Sequence, residues 1–295
     1  MANRKIIQQM TVPQFEAAFP TEEACRDYLT RHRWPSQSVK CPRCGNAKVY
    51  YLAKAHTWSC KACAKDGYHF SVLTGTIFEN TNKPLRDWFR VIHMMLTSKK
   101  GVSALQVHRQ MGFGSYRTAW YMCHRIRAGL ANEEFRQLMG IVEVDETHIG
   151  GDDINRHANK KKGKGAKTIV IGAVERKGNV VARVIDRADH YAMEHFVRRV
   201  CGDKVSLLAT DEHKAYSALK DTYNHGKVTH SRKQYVVGAI HTNTIEGFWS
   251  LFKRSIVGSY HKVSAKYLPL YIAEAQFRYN NRHNPDIFGA AIAGL

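Results

Sequence analysis

Three acidic residues, Asp145, Asp211 and Glu246, have the types and the placement that a divalent cation needs. Asp145 ends the alternating apolar run Ile141-Val142-Glu143-Val144-Asp145, and Asp211 ends Val205-Ser206-Leu207-Leu208-Ala209-Thr210-Asp211. Glu246 sits early in a segment of helical patterning, with Lys253 seven residues on. Two strand-end aspartates and a helical glutamate can converge in space while lying far apart in the chain. Hard oxygen ligands of this kind suit Mg²⁺ or Mn²⁺. Two such ions, about 3.5–4 Å apart, activate an attacking oxygen and stabilise a leaving one in phosphoryl transfer.

Alternation along a strand sorts the neighbours of these residues. Glu143 shares the Asp145 face and is the substitute if Asp145 is not the ligand. Glu146 and Glu212 stand beside the two aspartates and face the other way. Lys253 lies two turns from Glu246 on the same helix face, where it can hold a phosphate, with Arg254 beside it. Trp249 is expected to pack rather than stack. His241, Asn243 and His261 are open between DNA contact and structural roles.

The 295 residues carry a formal net charge of +20, which calls for a polyanionic partner. In a chain this basic, the phosphodiester is expected to be DNA. No apolar run approaches the ~20 residues of a membrane span, and no secretory leader is evident, so a cytoplasmic protein is expected. Seven cysteines, with four arranged as two C-x-x-C pairs, fit metal binding better than a disulfide framework.

Those pairs are Cys41-Pro42-Arg43-Cys44 and Cys60-Lys61-Ala62-Cys63, separated by fifteen residues. Two such knuckles deliver four thiolates tetrahedrally to one Zn²⁺, a closed site that is structural rather than catalytic. Short strands are expected over 48–52 and 56–59, so residues 37–72 read as a zinc ribbon. Cys25, Cys123 and Cys201 stand alone and read as ordinary core or surface residues.

The metal sites need a scaffold, and the rest of the chain supplies its pattern. Residues 1–36 include a helix capped by Thr21, with acidic residues in its first turn. Residues 73–138 read as helical. One helix covers 85–97, a second 102–111, then Gly112-Phe113-Gly114 breaks the period and a third covers 115–127. Helix, glycine turn, helix is the cadence of a helix-turn-helix unit. Arg117, Arg125 and Arg127 on the second helix are expected to reach DNA phosphates, and Trp120 and Tyr121 to be core.

From residue 139 to 290 the pattern becomes α/β. Three strands in a meander (141–149, 167–174, 180–185) precede a helix over 191–200, a strand over 205–210 and a helix over 214–219. A short strand over 227–230 and helices over 242–256 and 265–281 follow. This order is that of an RNase H-like, retroviral-integrase-like fold. The run between the first two strands, including Lys160, Lys161, Lys162 and Lys164, is expected to grip phosphates without reading sequence.

The quoted segments also carry a family resemblance. Val144-Asp145-Glu146-Thr147-His148-Ile149-Gly150-Gly151 and Thr210-Asp211-Glu212-His213-Lys214-Ala215-Tyr216 are two of them. The others are His241-Thr242-Asn243-Thr244-Ile245-Glu246-Gly247-Phe248-Trp249-Ser250-Leu251-Phe252-Lys253-Arg254 and Gly258-Ser259-Tyr260-His261-Lys262-Val263-Ser264. With the ribbon, they resemble bacterial insertion-sequence DDE transposases of the ISXO-type group. The resemblance implies metal ligation by Asp145, Asp211 and Glu246, and cleavage and strand transfer at terminal inverted repeats. It also implies binding of target DNA and, since two DNA ends must be brought together, a homodimer or higher assembly at work. The competing readings are a zinc-ribbon DNA-binding regulator with an inactive RNase H-like domain, and a nuclease or resolvase without strand transfer.

Overall fold

The protein is described from a computed structural model covering residues 10–36, 38–63, 65–131, 136–150, 167–211, 214–228 and 240–295. The basic run with Lys160, Lys161, Lys162 and Lys164 lies outside the described residues, as does Glu212. The chain divides into two compact units, Met1–Leu130 with His283–Leu295, and Ala131–Arg282.

The first unit opens with α1 (Val12–Ala18), capped reciprocally by Thr11 and Gln14, and α2 (Glu22–Arg33), capped by Thr21. Acidic Glu22 and Glu23 start α2 and Arg31, His32 and Arg33 end it, so its charges oppose the helix dipole as expected. Strands β1 (Tyr50–Leu52), β2 (Thr57–Cys60) and β3 (Tyr68–Phe70) form a three-stranded antiparallel sheet. The third strand, three residues long, was not expected from the sequence. Helices α3 (Leu85–Thr97), α4 (Ala104–Met111) and α5 (Tyr116–Gly129) follow. Gly112 ends α4 with φ +62°, a left-handed conformation that needs no Cβ, and Ser115 caps α5.

The last helix of the chain, α9 (Ile287–Gly294), belongs to this first unit, although the sequence pattern extends the second to residue 290. Its sequence, IFGAAIAG, has no polar face, and its last two residues are exposed while Ile287, Phe288, Gly289, Ala291 and Ile292 are buried. Phe288 supplies that contact, with ring centroids 5.3–6.2 Å from those of Phe15, Phe19, Tyr28 and Phe89.

The second unit is built on a five-stranded mixed sheet in the order β6-β5-β4-β7-β8. Its strands are β4 (Leu138–Ile149), β5 (Thr168–Glu175), β6 (Val180–Ile185), β7 (Cys201–Thr210) and β8 (His225–Lys227). The first three pair antiparallel, while β7 runs parallel to β4 and β8 parallel to β7. Helix α6 (His190–Val200) and a 3₁₀ segment (Lys214–Asp221) belong to one face, and α7 (Asn243–Ser255) and α8 (Leu268–Asn280) to the other.

Period-two alternation sorts the two cores. Val142, Val144, Ile171, Ala173 and Val181 pack with Met193, Phe196, Val197 and Tyr216. Ile149, Val170, Val174, Val180 and Ala182 pack with Ile245, Phe248, Trp249 and Phe252. Edge strand β6 has its outward polar groups satisfied by α8 side chains: Asn280 bonds both N–H and C=O of Val180, and Gln276 accepts from Ala182 N–H. That closes an edge which would otherwise template further pairing. The fifth strand covers His225–Lys227 and starts two residues before the expected 227, because its ladder to β7 starts at Leu208↔His225; residues 229 and 230 of the expected strand lie outside the described residues.

Candidate active site and metal centres

Parallel pairing of β4 with β7 sets the acidic site. The last pair in that ladder is Val144↔Thr210, so Asp145 and Asp211 are the next residues on adjacent strands. Carboxylate oxygens of Asp145, Glu146 and Asp211 lie within 4.8 Å of one another. Alternation puts Glu146 on the face opposite Asp145, and that is where its partner is found, since the Tyr216 hydroxyl donates to its Oε2 at 2.7 Å. Its carboxylate still joins the group, contrary to the expectation that facing away would remove it. The β4–β7 pairing has ended at Val144, so no β7 rung separates the two faces there.

Glu246 is placed differently from the expectation of a close trio. It is exposed on the first turn of α7, accepts a hydrogen bond from Thr242 Oγ1 at 2.7 Å, and does not join the group within 4.8 Å. Its charge nevertheless reaches Asp145. Burial first, then the charges of Glu146, Asp211 and Glu246, push the Asp145 carboxyl up to about 7. A carboxylate kept protonated by buried like charge is relieved when a cation enters, so the donor set fits a divalent metal ion. Tyr216 is raised well above the ordinary phenol range, by burial and then by Glu146, and acts as a donor only.

Two features hold α7 against the sheet. Gly172 pairs with Asp145, and a Cβ there would lie 2.6 Å from Trp249 Cζ2 and 3.3 Å from Ile245 Cδ1. The missing side chain lets the α7 core residues sit on β5. Glu143 is wholly buried and binds the first turn of α7. Neither Gly172 nor Tyr216 had a recognisable signal, since each matters only through a residue distant in sequence. Lys253 and Arg254 are exposed on the last turn of α7, and Arg254 Nε donates to Ser250 O at 3.1 Å.

The four cysteines converge as their spacing requires. The sulfurs of Cys41 and Cys63 are 3.7 Å apart, as are those of Cys44 and Cys60, and all four lie within 4.8 Å. Thiolates at about 2.3 Å from a tetrahedral Zn²⁺ would stand about 3.8 Å from each other. Burial acts to raise the Cys41 thiol, but backbone amides of Arg43 and Cys44 donating to its sulfur hold it at about 7. Cys63 is pushed up to about 12, first by the Cys44 side chain and then by burial. Cys63 thus holds its proton until a cation replaces it, while Cys41 gives its proton up readily, and the dimensions fit zinc.

On the second helix of the helix-turn-helix pair, the arginines part ways. Arg117 is exposed, with its guanidinium 5.6 Å over the ring of Tyr121. Tyr121 is 49% exposed rather than core, and Tyr116 beside it is exposed as well. Arg125 donates to Glu79 O at 3.0 Å and lies over the Trp88 ring, so it is occupied inside the unit. Arg127 is 1% exposed and is withdrawn as a phosphate contact. A basic residue on a helix reads alike whichever way it points, and only packing distinguishes them. No helix among the described residues is long and apolar enough to cross a membrane.

Residues 137–280 match the family described as the ISXO2-like transposase domain, and residues 20–66 match the transposase zinc-ribbon domain. An uncharacterised protein in transposable element ISH50 of Halobacterium salinarum is 25% identical over 274 residues, covering 88% of this chain and 91% of its own length. Among solved structures, a simian T-cell lymphotropic virus intasome in complex with the PP2A regulatory subunit B56 gamma aligns over 58% of this chain and 67% of its own. That match has 14% identity and a TM-score of 0.30. The acidic group lies inside the one matched segment and the four cysteines inside the other, so the chain is similar in both segments to insertion-sequence transposases that carry a zinc ribbon and an ISXO2-like transposase domain.

Proposed function

We propose that this protein is a DDE transposase that cleaves DNA and transfers strands at the terminal inverted repeats of its insertion sequence, using two Mg²⁺ or Mn²⁺ ions. The observation that carries the reading is the meeting of Asp145, Glu146 and Asp211 carboxylates where the parallel β4–β7 ladder ends. The strand order β6-β5-β4-β7-β8, with only β5 antiparallel to both its neighbours, supports an RNase H-like assignment for the second unit.

In this reading Asp145 and Asp211 hold the ions between them, and Glu246 closes the site from α7. Glu146 lies within reach as a fourth oxygen donor, oriented by Tyr216. Bound ions supply activation of the attacking water or 3′-hydroxyl and neutralise charge on the leaving oxygen. Lys253 and Arg254 extend the same helix with positive charge for the DNA backbone, and Arg117 contacts DNA from α5. Cys41, Cys44, Cys60 and Cys63 hold a structural Zn²⁺. The net charge of +20 supports DNA as partner, and a dimer or larger assembly brings the two ends together. The gathered carboxylates weigh against a purely regulatory protein, which has no use for them.

The test is cleavage of a labelled duplex carrying the element end. Activity should require Mg²⁺ or Mn²⁺, disappear in Asp145→Asn and Glu246→Gln, and be followed by joining of the labelled 3′-end into plasmid. Cleavage that survives both substitutions would reject the site, and cleavage without joining would leave a nuclease.

A further inference from the structure

Glu143 is a carboxylate with no water around it and no role in the metal set. It is 0% exposed, on β4, two residues before Asp145 and on the same face. Its partners are all donors. Oε2 accepts from the backbone N–H of Thr244 at 2.7 Å and of Ile245 at 3.1 Å. Oε1 accepts from Thr244 Oγ1 at 2.9 Å and from Arg176 Nε at 2.6 Å. Arg176 follows β5, and its Nη2 donates to His241 O at 3.0 Å. The His241 ring nitrogen Nδ1 stands 3.3 Å from Glu143 Oε1 without hydrogen-bond geometry, so it adds attraction only when protonated.

Thr244 and Ile245 are in the first turn of α7, whose own N-cap, Thr242, makes no capping bond with its side chain to those amides. A helix start leaves its first N–H groups without partners and carries partial positive charge. Here the missing cap comes from another element, the strand that bears Asp145. The next residue after Ile245 is Glu246. One carboxylate therefore connects the two elements that carry Asp145 and Glu246, at a point two positions from the first and one to two from the second.

We propose that Glu143 is the positioning residue of the acidic site, which fixes the first turn of α7 on β4 and so holds Glu246 where it can close on a metal bound at Asp145. It touches neither metal nor substrate. This inference rests on the reading of Asp145, Asp211 and Glu246 as ligands. Buried partners of this kind typically change metal affinity or activity by about 10–100-fold when altered.

The experiment uses the full chain with its zinc in place. Mn²⁺ binding by titration, DNA affinity without divalent ions, and amide exchange are measured in Glu143→Gln and Thr244→Val. In Glu143→Gln the Mn²⁺ midpoint should rise about 10–100-fold, the Thr244 and Ile245 amides should exchange faster, and DNA affinity should stay unchanged. Excess Mn²⁺ should recover part of the lost cleavage. Thr244→Val removes only the hydroxyl contact and should shift the Mn²⁺ midpoint in the same direction by less, which keeps the test alive if Glu143→Gln does not fold. Unchanged Mn²⁺ midpoints in the folded variants overturn the proposal, as does a loss of cleavage with the wild-type Mn²⁺ midpoint. If the wild-type protein binds no Mn²⁺ at the acidic site, the transposase reading fails first, and that outcome is distinct.

Discussion

Gly172 lies directly opposite Asp145 in the β4–β5 register, and the indole of Trp249 occupies the space where its side chain would be. A close approach of α7 to the sheet is thus made beside Asp145. Gly172→Ala puts a methyl 2.6 Å and 2.8 Å from two Trp249 ring atoms, too close for either to stay in place. The expected cost is about 1–3 kcal/mol of stability, the usual range for overpacking. Because α7 also carries Glu246, cleavage should fall further than stability. Urea denaturation and a cleavage assay on the same preparation check both, and a variant with wild-type stability would show that α7 is not seated as described.

Asp145 makes the metal-free protein pH-sensitive. Its folded-state value of about 7 lies well above the ordinary aspartate range, so the folded protein keeps a proton that the unfolded chain releases. Stability from this group is full below about pH 4 and is lost as pH rises towards 7. The three-unit difference sets an upper bound of about 4 kcal/mol. Asp145→Asn should raise Tm at pH 8 without added Mg²⁺, leave it unchanged at pH 4, and abolish cleavage. Added Mg²⁺ should stabilise the wild-type protein more at pH 8 than at pH 6. Calorimetry across that range decides the matter, and a lower Tm for the variant at pH 8 would contradict the crowding of charge at the site.

The zinc ribbon has little to hold it besides its metal. Strand β1 is exposed along its whole length, and Tyr50, Tyr51 and Leu52 all face solvent. Structural zinc sites contribute on the order of 10–16 kcal/mol of apparent binding energy, which in such modules is folding energy. One zinc per chain is expected by elemental analysis. Cys60→Ser or a zinc-selective chelator should unfold β1–β3, read as a change in the emission of Trp58, which packs against Trp34 at 5.3 Å between ring centroids. Unchanged emission after zinc loss would mean that the aromatic residues suffice.

Arg117 and Arg127 should fail in different ways. Arg117→Ala removes an exposed guanidinium and should weaken DNA binding while lowering the salt slope by about 1, with Tm unchanged. Arg127→Ala empties a buried position and should lower Tm by several degrees. Binding isotherms at several salt concentrations, beside thermal melts, separate the two. Equal salt slopes for wild type and Arg117→Ala would remove α5 from the DNA interface.

Much of this protein was legible in its sequence because the signals are local. Period-two runs located β4, β5 and β6, glycine and serine marked the α4–α5 turn, and the two C-x-x-C pairs specified a four-sulfur site. The end of β7 just before Asp211 was local as well, whereas Asp145 lies inside β4, which runs on to Ile149 beside β5. What the tertiary structure decided depends on where neighbouring elements stop. Glu146 meets the aspartates because the β4–β7 ladder ends at Val144. Glu143, equal by parity to Asp145, turns to the α7 amides instead of the metal site, because the unsatisfied N–H groups of that helix lie within its reach. Arg127 is buried while Arg117 is exposed, and α9 joins the first unit through Phe288. Spacing along a chain sets which way a side chain points, but only the packed fold sets what it finds there.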